Sequence, residues 1–273
     1  AEGLSGLMAV KLSARMKALA ALVTPGARLA DVGTDHGYIP VFLCQTGVIP
    51  SAIAMDINRG PLQRAEAHVA EYGLKDRIET RLSDGLEKLL SGEADCVLIA
   101  GMGGSLMRRI LSDGREPLQS VPELILQPQS EIPQIRQFLR ELGYRIADED
   151  MVEEDGKFYF IMKAHKMEND GQEQQNSTER QRLEDEFGPV LLKKKHPVLL
   201  RWIRREIRIA AMINRQIMSS AFLDEDSGEI LQFRHGEIVK QEKLKKRLQD
   251  LDERWKLLQE GLRILEDEPG GKD

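Results

Sequence analysis

The sequence predicts an α/β domain built on a doubly wound, mostly parallel sheet with an antiparallel edge pair, followed by a second, all-α coiled-coil domain. Three observations carry this. Short apolar runs alternate with helical patterns up to residue 166, a polar stretch at 167–177 (MENDGQEQQNS) interrupts them, and a leucine heptad with no strand candidate follows. The domains are accordingly 1–166 and 178–273.

Residues 1–23 read as an amphipathic helix, because Lys11, Arg15 and Lys17 break the apolar residues at helical spacing and deny the segment the apolar centre of a signal peptide. Seven strand candidates follow: ARLADVG, SAIAMDI, RIETRLS, DCVLIAG, ELILQP, YRIADEDMVEE and FYFIMKA. The first five are separated by segments long enough for crossover helices (GYIPVFLCQTG, GPLQRAEAHVAEYGL, DGLEKLLSG, SLMRRILSDG), which predicts parallel pairing; the last two lie close together and predict the antiparallel pair. Past the linker, Thr178 and Gln181 have capping-box spacing, and Pro197 suits a first helical position. Ile203, Ile207, Ala210 and Ile217 form the stripe of a helix over 197 to about 222, and DEDSGE at 224–229 is a turn. Leu244, Leu248, Leu251, Trp255, Leu258, Leu262 and Leu265 then keep alternating spacings of four and three, an a/d seam. An antiparallel hairpin closes that seam within one chain, so a monomer is expected; a parallel dimer zipper is the alternative.

Composition narrows the function classes. With 41% hydrophobic and 31% charged residues, and no apolar run near the roughly 18 residues of a membrane span, membrane insertion is excluded. Cys44 and Cys96 sit in apolar stretches and read as buried thiols, which excludes a disulfide framework or a metal cluster and fits a reducing cytoplasm. The net charge of -6 argues against nucleic acid only as an average: residues 193–215 carry +7 (Lys193, Lys194, Lys195, Arg201, Arg204, Arg205, Arg208 and Arg215 against Glu206). That segment can hold a polyanion, and Arg201, Arg204, Arg205 and Arg208 share one side of the helix.

The first strand runs into Asp31-Val32-Gly33-Thr34-Asp35-His36-Gly37, a glycine turn where a doubly wound sheet binds a nucleotide-like ligand. A dinucleotide site wants G-x-G-x-x-G, but the corresponding residues are Gly33, Asp35 and Tyr38. Two carboxylates, Asp31 and Asp35, repel a pyrophosphate and favour a cation, which fits the sulfonium and ammonium of S-adenosylmethionine. Asp56, followed by Ile57, stands where an acid accepts hydrogen bonds from ribose hydroxyls, and Asp84-Gly85 after the third strand can reach an adenine amino group. The fourth strand ends in Gly101-Met102-Gly103-Gly104, whose bare backbone suits a planar base or a phosphate, and Gln127 and Gln129 add amides to the same edge. His36 belongs to no ligand or triad spacing and reads as a substrate-shaping or structural residue. No metal site is expected.

These strings together (DVGTDHGYIP at 31–40, then AMDIN, SDG, IAGMGG, LILQP and FGPVLL at 187–192, with the coiled-coil tail) resemble the bacterial tRNA (adenine-22-N1)-methyltransferase family over nearly the whole chain. Gln129 stands where the family pattern has Asn. The resemblance implies a Rossmann-like domain that binds S-adenosylmethionine, a helical domain that helps grip tRNA, and adenine 22 as the methylated base. Cofactor contacts then fall to Asp31, Gly33, Asp35, His36, Gly37, Asp56, Ile57, Asp84, Gly85, Gly101 and Met102, and substrate contacts to Gly103, Gly104, Gln127, Gln129 and the four arginines. Asp35 is the expected catalytic carboxylate, because N1 methylation leaves a cationic adenine. A small-molecule or protein methyltransferase with a dimerising tail is the competing reading.

Overall fold

The computed structural model describes residues 10–167, 178–219, 221–223, 230–234, 237–239 and 241–267, and the chain divides into two compact units, 1–191 and 192–273. The first opens with α1 (Ala14–Leu22), shorter than the helix expected over residues 1–23, of which 1–9 lie outside the described residues. Ser13 sets the start: its Oγ accepts the Met16 N–H at 3.3 Å, an N-cap worth about 1 kcal/mol. There follow β1 (Leu29–Val32), α2 (Tyr38–Gln45), β2 (Ala52–Asp56), α3 (Arg59–Glu71), β3 (Ile78–Leu82), β4 (Cys96–Met102), α4 (Gly104–Asp113), α5 (Arg115–Leu118), β5 (Glu123–Pro128), α6 (Ile132–Glu141), β6 (Tyr144–Glu154) and β7 (Lys157–Lys166).

All seven predicted strands form one sheet, ordered β3-β2-β1-β4-β5-β7-β6. The pairs from β3 through β5 are parallel, and β7 runs antiparallel to both β5 and β6. Strand residues alternate between two cores. Leu29, Ala54, Leu98 and Ile125 pack with Leu19 of α1, Leu43 of α2 and Val69 of α3; Ala30, Val97, Ile99 and Leu126 pack with Ile110 of α4 and Leu139 of α6. Cys44 and Cys96 are buried free thiols. The expected crossover helix at 84–92 does not form. Gly85 adopts φ +56°, which no helix propagates through, and the chain continues as turns that bury Leu86 and Leu89.

The first unit extends past the linker expected at 167–177, of which 168–177 lie outside the described residues, to include α7 (Thr178–Phe187). The cause is a buried polar cluster. Arg140 donates to both carboxylate oxygens of Asp185 (2.7 and 3.0 Å), and the buried Arg136 pairs with buried Glu149 at 2.9 Å and donates to the Asp185 carbonyl at 2.6 Å. Glu149 also accepts the Val190 N–H at 2.9 Å, and a Cβ on Gly188 (φ +90°) would stand 2.5 Å from its oxygens. FGPVLL is therefore a latch over Glu149. Thr178 is the first described residue of α7, and the Gln181 amide donates to Asp185 at 3.1 Å.

After α8 (Pro189–Lys193), the second unit contains α9 (Pro197–Ser219), β8 (Ala221–Leu223), β9 (Ile230–Arg234), β10 (Glu237–Val239) and α10 (Gln241–Glu266). Pro197 opens α9 as predicted. The start of α9 meets the end of α10, where Lys195 Nζ donates to the Asp267 carbonyl and Arg204 pairs with Glu266 at 2.8 Å, so the two helices are antiparallel. Along α10, Leu258 and Leu265 are buried, Leu248, Leu251 and Leu262 are half-buried, and Trp255 is exposed. The antiparallel sheet β10-β9-β8 corrects the all-α expectation, and Phe222, expected in the helix, lies in β8. Two of these strands are three residues long, too short to read from alternation; the turn expected at 224–229 lies outside the described residues.

Candidate active site

Because β3, β2, β1, β4 and β5 are adjacent and parallel, their carboxyl ends set Asp84, Asp56, the 33–37 turn, the 101–104 loop and residues 127–131 in one row. The chain crosses from β3 over to the far side of β1 to form β4, so the switch point where such sheets bind ligands lies between β1 and β4.

Asp31 is 4% exposed and accepts the Thr34 hydroxyl at 2.6 Å. Gly33 and Thr34 both donate their N–H groups to the Met55 carbonyl (2.8 and 2.9 Å), folding the turn back over β2. Gly33, Asp35 and Gly37 all have positive φ (73°, 50° and 67°). A Cβ on Gly33 would stand 2.4 Å from Met102 Cε, so this glycine both permits the turn and lets the β1 and β4 loops approach. Burial pushes the Asp31 carboxyl up to about 6, against the Thr34 hydrogen bond and with the help of the Asp56 charge. Two acids held together in this way gain from a bound cation.

Asp56, 8% exposed, accepts the Asn58 N–H through Oδ1 at 2.8 Å, while its Oδ2 has no partner among the described residues. Ile57 beside it is 56% exposed, an apolar surface at the carboxyl edge of the sheet. Asp84 is paired with Arg109 of α4 at 3.1 Å, and a Cβ on Gly85 would stand 2.9 Å from Ile110. The Asp35 carboxylate is open to solvent and is held by Arg64 of α3 at 2.7 Å, with His36 Nε2 at 3.7 Å. His36 packs its ring with Tyr38 (5.2 Å) and His68 (5.6 Å), and His68 Nδ1 lies 2.9 Å from the His36 carbonyl.

At the end of β4 the register against β5 shifts between Ala100 and Met102, a bulge centred on Gly101 (φ +76°). Gly103 caps α4, and Gly104 presses on the next loop: its N–H donates to Ser130 Oγ at 3.1 Å, and a Cβ there would stand 2.6 Å from the Ser130 carbonyl. Gln127 does not open on the edge. Its fully buried side chain accepts the Gly101 N–H and the Arg15 guanidinium, both at 3.1 Å, so it supports the bulge, whereas Gln129 is exposed. Arg201, Arg204, Arg205 and Arg208 are all exposed on α9 in the second unit.

Thr34, Arg64, Tyr38, His68 and Arg15 also reach this edge, beyond the residues expected from the sequence. Thr34 and Tyr38 were available from their places in and beside the turn; Arg64, His68 and Arg15 reach the edge through tertiary packing. Among the described residues no group of three or more His, Cys, Asp or Glu could hold a metal, and no helix is long and apolar enough to cross a membrane.

A doubly wound sheet with a tight glycine turn, clustered acids and no triple-glycine cradle is that of a methyltransferase, and residues 12–162 match the family described as "Methyltransferase domain". The Bacillus subtilis (strain 168) tRNA (adenine(22)-N(1))-methyltransferase is 35% identical over 81% of this chain and 92% of its own. The crystal structure of the B. subtilis m1A22 tRNA methyltransferase has a TM-score of 0.76 at 33% identity, covering 93% of this chain and 99% of that one. A Streptococcus pneumoniae structure in complex with S-adenosyl-L-methionine has a TM-score of 0.73 at 31% identity, covering 92% and 100%. The chain belongs to the tRNA (adenine-22-N1)-methyltransferase family.

Proposed function

We propose that the protein transfers a methyl group from S-adenosyl-L-methionine to N1 of adenine 22 in tRNA. The observation that carries this is the pair of acids Asp31 and Asp56 at neighbouring strand ends, beside a glycine turn with no room for a Cβ at Gly33. Such a site takes a cationic ligand with a ribose, and the three glycines of a pyrophosphate cradle are absent. Bound there, S-adenosyl-L-methionine supplies an electrophilic methyl group. Asp31 counters positive charge, the free Oδ2 of Asp56 accepts from the ribose hydroxyls, Ile57 lies against adenine, and Asp84 accepts from its amino group.

Adenine N1 carries a lone pair and needs no strong base, so the chain's work on the substrate is positioning. The 101–104 backbone and Gln129 line the base, which must be unpaired or turned out to expose its N1 edge. Asp35 faces the positive charge that develops on the base and stabilises it, and Arg64 orients the carboxylate beforehand. The basic face of α9 holds tRNA phosphates, the α9–α10 pair is an antiparallel coiled coil, and the protein is a cytoplasmic monomer. The competing reading, a dimerising tail on a small-molecule or protein methyltransferase, has less to support it, since α9 and α10 pair within one chain. Labelled methyl transfer into unmodified tRNA, with tRNA binding followed against salt, tests the proposal. Transfer with salt-sensitive binding is expected; cofactor binding without transfer or retention at low salt would overturn it.

A further inference from the structure

Arg15 reaches the carboxyl edge of the sheet from α1, outside the strand-end loops. Its Nη1 donates to Gln127 Oε1 at 3.1 Å, and its guanidinium lies over the Tyr159 ring, 5.1 Å from the centroid. The same Nη1 is 3.6 Å from the point a Cβ on Gly101 would occupy, and Gln129 Nε2 is 3.9 Å from that point. Arg15, Gly101 and Gln129 thus converge at the end of β4, on one side of the switch point.

The charge placed there is unmatched. Arg64, Arg108 and Arg109, which also reach this edge, are paired with Asp35, Glu131 and Asp84. Arg15 forms no ion pair among the described residues, and its buried Nε has no hydrogen-bond partner. A half-buried cation with an unused N–H costs stability, and here the fork is nevertheless fixed on two sides, by a buried amide and an aromatic face. It is preorganised for an anion. It cannot serve the reacting edge of adenine, because methylation leaves that base positive and a guanidinium would oppose the charge. The group of opposite sign that a nucleotide brings to the same place is its phosphodiester, which a guanidinium fork matches in shape.

We infer that Arg15 is a phosphate clamp that seats the turned-out nucleotide, with Gln127 and Tyr159 holding its guanidinium in place. The inference rests on the tRNA methyltransferase reading of the site. A carboxylate, such as that of the cofactor's methionine moiety, offers similar oxygens, so the test separates the two sources.

The full chain is compared with Arg15→Gln and Arg15→Lys in three measurements: calorimetric S-adenosylmethionine affinity, tRNA affinity against salt, and single-turnover methylation against tRNA concentration. In Arg15→Gln, cofactor affinity should be unchanged, tRNA affinity should fall about ten-fold or more, and the log–log salt slope should flatten by about one. Arg15→Lys should restore the slope, which reads charge, but not the rate at subsaturating tRNA, which needs the fork. Should Arg15→Gln fail to fold, that rate in Arg15→Lys still decides, a wild-type value counting against the clamp. Unchanged tRNA affinity and slope overturn the inference, even if thermal stability falls; a loss confined to cofactor affinity assigns Arg15 to the carboxylate and overturns it equally. If the wild-type protein binds cofactor but neither binds nor methylates tRNA, the functional reading itself fails. If it methylates tRNA and both variants match it, only the clamp fails.

Discussion

Burial raises the Asp31 carboxyl to about 6 from an ordinary 3.8, so the folded chain binds this proton more tightly than the unfolded one. The sign of the linkage is then fixed. Asp31 destabilises the fold increasingly as pH climbs from 3.8 toward 6, and by a constant amount above, about 3 kcal/mol at 1.36 kcal/mol per pH unit. Asp31→Asn removes the charge while keeping an oxygen for the Thr34 hydroxyl. Its amide N–H2 is buried without an assigned partner, which returns about 1–2 kcal/mol. The variant should therefore be about 1–2 kcal/mol more stable than wild type at about pH 7.5, a rise of roughly 2–8 °C in melting temperature, and equal or less stable at about pH 4. Its affinity for S-adenosylmethionine should fall about ten-fold or more, because a charge-assisted contact is lost. Differential scanning fluorimetry across pH, followed by calorimetric titration, reads both effects. A stability difference of the same sign and size at both pH values would refute the electrostatic account of Asp31, and unchanged affinity would remove it from the cofactor site.

Asp56→Ala should weaken cofactor binding about ten-fold or more by calorimetry, since it takes away the free Oδ2 proposed to hold the ribose. Asp35→Ala should slow single-turnover methylation about 100-fold with a smaller change in cofactor affinity, and full recovery at saturating cofactor would reassign the residue to cofactor binding. Gly188→Ala should destabilise the first unit by about 3 kcal/mol or more in urea unfolding, because the methyl meets the Glu149 carboxylate in its buried pair with Arg136. Replacing Arg201, Arg204, Arg205 and Arg208 together by Ala should weaken tRNA binding and flatten its salt slope by about two to four while sparing cofactor affinity; an unchanged slope would take α9 out of the RNA interface.

Period and punctuation made the catalytic sheet legible in the sequence. Each buried strand is a short apolar run closed by Gly, Asp or Pro, and a parallel sheet needs little more to be read. Leu86 and Leu89 misled because their spacing of three suits a helix, whereas the positive φ of Gly85 turns the chain and buries both from a non-helical segment. Two of the second unit's three strands, β8 and β10, escaped because three-residue runs carry no alternation. Asp31, Gly33 and Asp56 could be placed at the carboxyl edge of the sheet because a parallel strand delivers its last residues and the next turn there. Gln127 could not be judged the same way: whether an amide at the end of β5 faces a ligand or supports the neighbouring loop depends on the β4 bulge and on Arg15, more than a hundred residues away in sequence. Long-range partners of this kind, Arg64 on Asp35 among them, leave no periodic trace.

The most direct measurement takes a single unmodified tRNA transcript with adenine at position 22, incubates it with the protein and S-adenosylmethionine, and analyses its nucleosides and nuclease fragments by mass spectrometry. The account predicts 1-methyladenosine confined to the fragment containing position 22 and absent when that adenine is replaced by guanine. Methylation at another position or another atom, or none while the cofactor is bound, would contradict it.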